Sequence, residues 1–263
     1  MKKIIPLSIP DLKGDVKKYL TKAIDENWVS SAAPGVKKFE KKISKIASCK
    51  YSIATITGSA ALHLALKTLN IGKGNKVIVP DFTFAATINA VELSGAEPII
   101  VDINKQDWTI DIKLLKEAIH KFKPSAVIVV HTLGHPADMN SIIKLKKKYK
   151  IKVIEDAAGA MGAKYYNKNV GCLTDLGIFS FNGNKVLTTG SGGALLTNSK
   201  KYFNRANLLS KQGKKNTEYN YIKSGYNYKM SNINASLGLA QIKYFNKTLN
   251  KKKEITKNYD NAF

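Results

Sequence analysis

The chain has 263 residues, with 43 Lys and Arg against 19 Asp and Glu, a formal charge of +24. That length suits one large domain, or one large and one small, with a sizeable core, and 44% hydrophobic with 24% charged residues is globular rather than disordered in composition. No apolar run approaches the ~20 residues of a membrane helix and Met1-Lys2-Lys3-Ile4-Ile5-Pro6 lacks the apolar stretch of a secretory signal, so a cytoplasmic chain with no membrane partner is expected.

Short apolar, β-branched runs alternate with helical periodicities, the pattern of a parallel α/β sheet. A strand is predicted over 52–56, then the turn Thr57-Gly58-Ser59. A helix over 60–69 follows, its stripe Ala61, Leu62, Ala65, Leu66 and Leu69 ending before Gly72. Strands at 77–79 and 98–101 flank a helix over 85–94 that stops at Gly95. A helix over 112–122 leads to a buried strand over 126–130, and after the loop 131–138 a lysine-faced helix runs to Tyr149. The strand over 152–155 ends at Asp156. Two more, 176–181 and 194–197, enclose a Gly- and Thr-rich turn, and lysine-rich helices fill the C-terminal third.

The charge first invites a nucleic-acid reading. However, 42 of the 43 basic residues are lysine, Arg205 being the only arginine, and specific phosphate and base recognition usually exploits arginine's planar fork. Short runs such as Lys146-Lys147-Lys148 and Lys251-Lys252-Lys253 read as solvated helix faces, so no nucleic-acid partner is expected. Cys49 and Cys172 lie far apart without CxxC spacing and read as ordinary thiols of a reducing compartment. His131 and His135 have HxxxH spacing, but Gly134 and Pro136 place them in a loop rather than on a helix, so a loop-shaping role is favoured and no metal is expected.

Ligands of open α/β sheets sit beyond the carboxyl ends of the strands, and four segments there carry chemistry. Ser180-Phe181-Asn182-Gly183-Asn184-Lys185, followed by Thr188-Thr189-Gly190-Ser191-Gly192-Gly193, sets one lysine between a strand and a glycine-rich turn. Sheltered from solvent, such an amine becomes nucleophilic, although a surface charge is the ordinary fate of any lysine in this chain. Val153-Ile154-Glu155-Asp156-Ala157-Ala158 leads a carboxylate out beside small side chains. It could lie under a flat heterocycle and pair with a ring nitrogen, as an aspartate does toward pyridoxal phosphate, or could simply cap the next segment. Thr57-Gly58-Ser59-Ala60-Ala61 opens a helix with free N–H groups and a hydroxyl, a phosphate cradle. Asp81-Phe82-Thr83-Phe84 offers an aromatic face, with core packing expected for one of its two rings. Lysine, aspartate, phosphate turn and stacking ring are together the parts of a pyridoxal phosphate site.

With these residues assembled, the chain resembles the fold type I pyridoxal phosphate enzymes, in particular the DegT/DnrJ/EryC1/StrS sugar aminotransferases. The matching segments run in the family's order and include Asn27-Trp28-Val29-Ser30-Ser31, Gly58 to Leu66, Gly95-Ala96-Glu97-Pro98, Gly134-His135-Pro136-Ala137-Asp138-Met139, Glu155 to Ala158, Ser180 to Gly193 and Gly225 to Ile233. The wording is most similar to aminotransferases acting at C4 of UDP-linked 4-keto-6-deoxy amino sugars. The resemblance implies a large domain with a mostly parallel central sheet flanked by helices and pyridoxal 5'-phosphate as cofactor. It implies Lys185 as the residue that binds the cofactor covalently and shuttles the proton, Asp156 on the pyridinium nitrogen and Phe84 stacked on the ring. Gly58, Ser59, Ala60 and Ser180 are implied on the phosphate, and Asn227 on the phosphate of a neighbouring subunit, making a homodimer with a shared site. Glutamate is implied as amino donor for surface glycan biosynthesis.

The resemblance also implies an organisation: 1–30 as an N-terminal segment, 31–240 as the cofactor-binding large domain, and 241–263 as the start of a helix leading to a C-terminal small domain that is largely missing. A truncated, catalytically inactive homologue keeping only the cofactor domain is the alternative. Three departures stand out: Gly159 where relatives carry a polar side chain near the cofactor hydroxyl, Leu133 where they carry tyrosine, and Lys229 in place of the usual arginine.

Overall fold

The structure is a computed structural model that describes residues 4, 6, 8–12, 14–215 and 219–263. Met1, Lys2, Lys3 and Ile5, read above for a secretory signal, lie outside the described residues. In chain order come α1 (Val16–Asp25), α2 (Pro34–Ile46), β1 (Tyr51–Thr55), α3 (Gly58–Thr68), β2 (Lys76–Pro80), α4 (Ala85–Leu93) and β3 (Glu97–Val101). Then follow α5 (Ile112–Phe122), β4 (Ala126–Val130), α6 (Met139–Tyr149), β5 (Lys152–Asp156), and β6 (Lys164–Tyr165) paired with β7 (Lys168–Asn169). The chain continues through β8 (Leu176–Ser180), β9 (Gly193–Thr197), α7 (Lys200–Ser210), α8 (Asn232–Ile242) and α9 (Phe245–Ala262). Among the described residues no helix is long and apolar enough to cross a membrane.

One sheet runs in the order β1-β9-β8-β5-β4-β2-β3. Every pairing from β8 to β3 is parallel, whereas β9 is antiparallel to both β1 and β8. Because β9 alone is reversed, the carboxyl ends of the other six strands share one edge of the sheet. β4 and β2 are continuous apolar runs because helices cover both faces. The edge strand β3 leaves Glu97 and Ile100 exposed. On one face α3, α4 and α7 bury Leu62, Leu66, Val91 and Leu209 against Ile154 and Ile178. On the other, Val36, Phe39 and Ile43 of α2 form a helical stripe that packs with α8, and the Phe39 ring meets Phe181 edge-on at 5.2 Å. Burying each such side chain contributes about 1.5–3 kcal/mol. Pro34 starts α2 at a position where no N–H is needed, and α5 and α6 end on Lys123 and Lys150 in the left-handed region, the place glycine usually takes.

The cysteines correct the sequence reading. Cys49, after α2, and Cys172, before β8, form a disulfide with Cα atoms 5.8 Å apart across 123 residues of sequence. Spacing along the chain carried no trace of this, because strand pairing in the sheet brings them together.

Candidate active site

The shared strand edge opens into a cavity of about 570 Å³ lined by Gly58, Ser59, Phe84, Asp156, Ser180 and Lys185, six of the eight predicted site residues. Its phosphate-sized corner is the start of α3. Thr57 is extended and its hydroxyl caps the helix, accepting from the Ala60 N–H at 2.9 Å. The Ala60 N–H is therefore engaged, Ala60 is buried and absent from the lining, and the N–H groups of Gly58 and Ser59 remain at the positive helix end. Ser180 lies against this corner: a Cβ on Gly58 would stand 3.0 Å from its Cβ and 3.2 Å from its Oγ. Gly193 is equally constrained, since a Cβ there would meet the Thr57 carbonyl oxygen at 2.5 Å.

Lys185 sits in the loop after β8, its N–H donating to Asn182 O at 3.0 Å. Across the cavity wall Asp156 ends β5 and is buried. Its Oδ2 accepts from the Thr87 hydroxyl at 2.8 Å and its Oδ1 from the Ala158 N–H at 3.1 Å. Burial pushes the Asp156 carboxyl up, opposed by the Thr87 and Ala158 hydrogen bonds and by His131 and Lys185. Among the described residues no cationic side chain forms an ion pair with it, Lys185 acting on it only at longer range across the cavity. A protonated ring nitrogen would be a direct partner, and the pyridoxal phosphate donor set fits.

The aromatic expectation needs correcting. Neither ring of Asp81-Phe82-Thr83-Phe84 is core: Phe84 is 81% exposed and Phe82 43%, Phe82 packing edge-on against Trp108 at 5.2 Å. Both line the cavity, because the loop after β2 turns its side chains outward before α4 begins. Asn227 lies apart, on an open recess with Gln212, Lys223 and Ser224. His131 and His135 separate as well: His131 is buried and lines the cavity, whereas His135 is exposed. Asp138 caps α6 through Ser141 N–H and takes the Tyr165 hydroxyl at 2.8 Å.

Two features escaped sequence reasoning. Glu155, 0% exposed, points away from Asp156 as strand alternation requires. Its Oε2 accepts from Gly171 N–H at 2.7 Å and His131 Nε2 at 3.2 Å. Its Oε1 accepts from the N–H groups of Leu173 at 2.7 Å and Thr174 at 2.8 Å, and from the Thr174 hydroxyl at 3.0 Å. Ala137 N–H donates to His131 Nδ1 at 3.2 Å, which assigns the ring proton to Nε2. The adjacent acids were visible in the sequence, and alternation alone would have sent one of them inward. Thr87 gave no signal, since a threonine inside a helical pattern reads as filler. Lys229, the departure from arginine, pairs with Glu40 at 2.7 Å, and the same carboxylate oxygen takes the Ala54 N–H. It ties α2 to β1.

Fold and cavity together define the class, a fold type I pyridoxal phosphate enzyme. Residues 10–263 match the model of the DegT/DnrJ/EryC1/StrS aminotransferase family, and the chain belongs to that family. It is 40% identical over 258 residues to GDP-perosamine synthase of Escherichia coli O157:H7, covering 98% of this chain and 71% of that one. It is 36% identical over 249 residues to a UDP-4-amino-4,6-dideoxy-N-acetyl-beta-L-altrosamine transaminase of Campylobacter jejuni, covering 93% and 65%. Among solved structures, the PLP form of Spr1654 from Streptococcus pneumoniae superposes with a TM-score of 0.93 at 28% identity, covering 99% of this chain and 72% of that one.

Proposed function

We propose that this sugar aminotransferase transfers an amino group from glutamate to C4 of a nucleotide-linked 4-keto-6-deoxy sugar, in the cytoplasm and as a homodimer with shared sites. The observation that carries the reading is the meeting of Lys185, Asp156 and the α3 N-terminus in one cavity. A UDP-linked sugar is the reading from sequence; the 40% identity to a GDP-perosamine synthase widens it to nucleoside diphosphate sugars generally.

Bound pyridoxal phosphate supplies an electron sink for negative charge at carbon. The chain supplies the rest. Lys185 provides the amine that anchors the cofactor and then takes and returns a proton at Nζ. Asp156 holds the ring nitrogen protonated, and Phe84 offers a face for stacking. Gly58 and Ser59 N–H groups with the Ser59 and Ser180 hydroxyls receive the phosphate, aided by the helix dipole. Asn227 lies outside its own chain's cavity, which suits a contact with a partner's phosphate. The open space at Gly159, where a Cβ would meet nothing within 4 Å, leaves room beside the cofactor for substrate.

The test is to add pyridoxal phosphate and record the absorbance of the lysine-bound cofactor. Wild type is expected to develop it and Lys185→Ala to lack it; identical spectra reject the assignment. Turnover of UDP- and GDP-linked 4-keto sugars with glutamate then reads the substrate, and no 4-amino product from either class rejects the activity.

A further inference from the structure

Thr87 belongs to α4, is fully buried, and does not cap its helix, yet its hydroxyl makes two side-chain contacts. It donates to Asp156 Oδ2 at 2.8 Å and lies 2.8 Å from Thr83 Oγ1, four residues back in the loop before α4. A hydroxyl has one proton. Thr87 directs its own to the carboxylate, so the proton between the two threonines must come from Thr83. With the carboxylate ionised, the chain runs one way: Thr83 donates to Thr87, and Thr87 donates to Asp156. Thr83 is half-buried and lines the cavity, on the same loop as Phe84.

We propose that Thr87 is a positioning residue: its hydroxyl, oriented by Thr83, locks the Asp156 carboxylate in one rotamer and in its ionised form. This rests on the role proposed above for Asp156. An aspartate pairs with a ring nitrogen only if one oxygen is aimed at it and unprotonated, and burial works against the second condition. Of the groups facing Asp156, the Thr87 hydroxyl opposes burial most strongly, ahead of the Ala158 N–H, His131 from the end of β4 and Lys185 from the loop after β8. A hydrogen bond to the charged form lowers a carboxyl's proton affinity. The Thr83 donor strengthens it by polarising the Thr87 O–H.

Thr87→Val keeps the shape and removes the hydroxyl; Thr87→Ser keeps the hydroxyl. Carbon-13 carboxyl titration of Asp156 in the cofactor-free chain is the primary readout, so the outcome does not depend on activity. Thr87→Val is expected to move that titration to higher pH, and Thr87→Ser to leave it near wild type. Thr83→Val, at a half-buried site where folding is not at stake, is expected to give a smaller move in the same direction. In the loaded protein Thr87→Val is expected to weaken pyridoxal phosphate binding by roughly tenfold or more and to shift the pH profile of the bound cofactor's absorbance. An Asp156 titration unchanged in Thr87→Val, or in Thr83→Val where the first variant does not fold, overturns the proposal. A wild type that shows no lysine-bound absorbance refutes the proposed function instead, and the cofactor-free titration still decides the role of Thr87.

Discussion

Replacing Glu155 by glutamine changes one atom in the best-satisfied side chain near the cavity. The carboxylate receives five donors, three of them backbone N–H groups of the segment around Cys172. A glutamine must turn its NH2 toward one of the two donor sets. In the gentler orientation it faces the Gly171 N–H and His131 Nε2–H. His131 cannot escape by exchanging its proton to Nδ1, because the Ala137 N–H already points there. Two buried donors are then left without acceptors, at about 1–3 kcal/mol each, and the remaining bonds lose their charge assistance. The expected cost is about 3–5 kcal/mol, the range seen when one member of a buried charged network is removed. For a chain of this size that corresponds to a melting point lower by roughly 10 °C or more. Thermal unfolding of the cofactor-free wild type and Glu155→Gln at pH 7, followed by circular dichroism, measures it. A loss below about 1 kcal/mol would refute the reasoning.

Other consequences are equally direct. Gly159→Ala should change stability by less than about 0.5 kcal/mol, since the added methyl meets nothing within 4 Å. Gly177→Ala, whose Cβ would stand 2.0 Å from the Gly171 carbonyl oxygen, should cost about 2–4 kcal/mol; equal melting points for the two contradict the packing described. Cys49–Cys172 closes a loop of 123 residues, so reduction or Cys172→Ser should lower stability by about 3–5 kcal/mol. A non-reducing digest should yield the linked peptide pair, and recovery of two free thiols from the native chain counts against the bond. Burial, with a smaller contribution from Lys67, pushes the His63 imidazole down. The unfolded chain takes up this proton near pH 6.5 while the folded chain resists. Stability should therefore fall as pH drops below about 6.5, and His63→Gln should flatten that slope; parallel slopes in wild type and variant would show that His63 does not contribute.

The parallel core was legible because buried strands write themselves as continuous apolar runs and helices as stripes. The spans of α5 and β4 agree with the periodicity to the residue. The N-terminal helices α1 and α2 are harder to read: Val36, Phe39 and Ile43 carry a helical spacing, but the lysines between them mask the stripe. Lys185, Asp156, Gly58 and Ser180 could be proposed from sequence for a physical reason: six strands end on one edge of the sheet, so residues just past a strand end gather there whatever their distance along the chain. The supporting residues were hidden for the complementary reason. Thr87 meets Asp156 across 69 residues and Cys49 meets Cys172 across 123, contacts that only strand order creates. The exposure of Phe82 and Phe84 likewise depends on the course of a loop, not on the residue types.

The central claim is that this cavity holds pyridoxal phosphate on Lys185. Borohydride reduction of the cofactor-loaded chain, followed by proteolysis and mass spectrometry, tests it most directly. The account predicts a pyridoxyl-phosphate adduct on Lys185 and loss of that adduct in Lys185→Ala. An adduct scattered over the many surface lysines, with Lys185 unmodified, would contradict it.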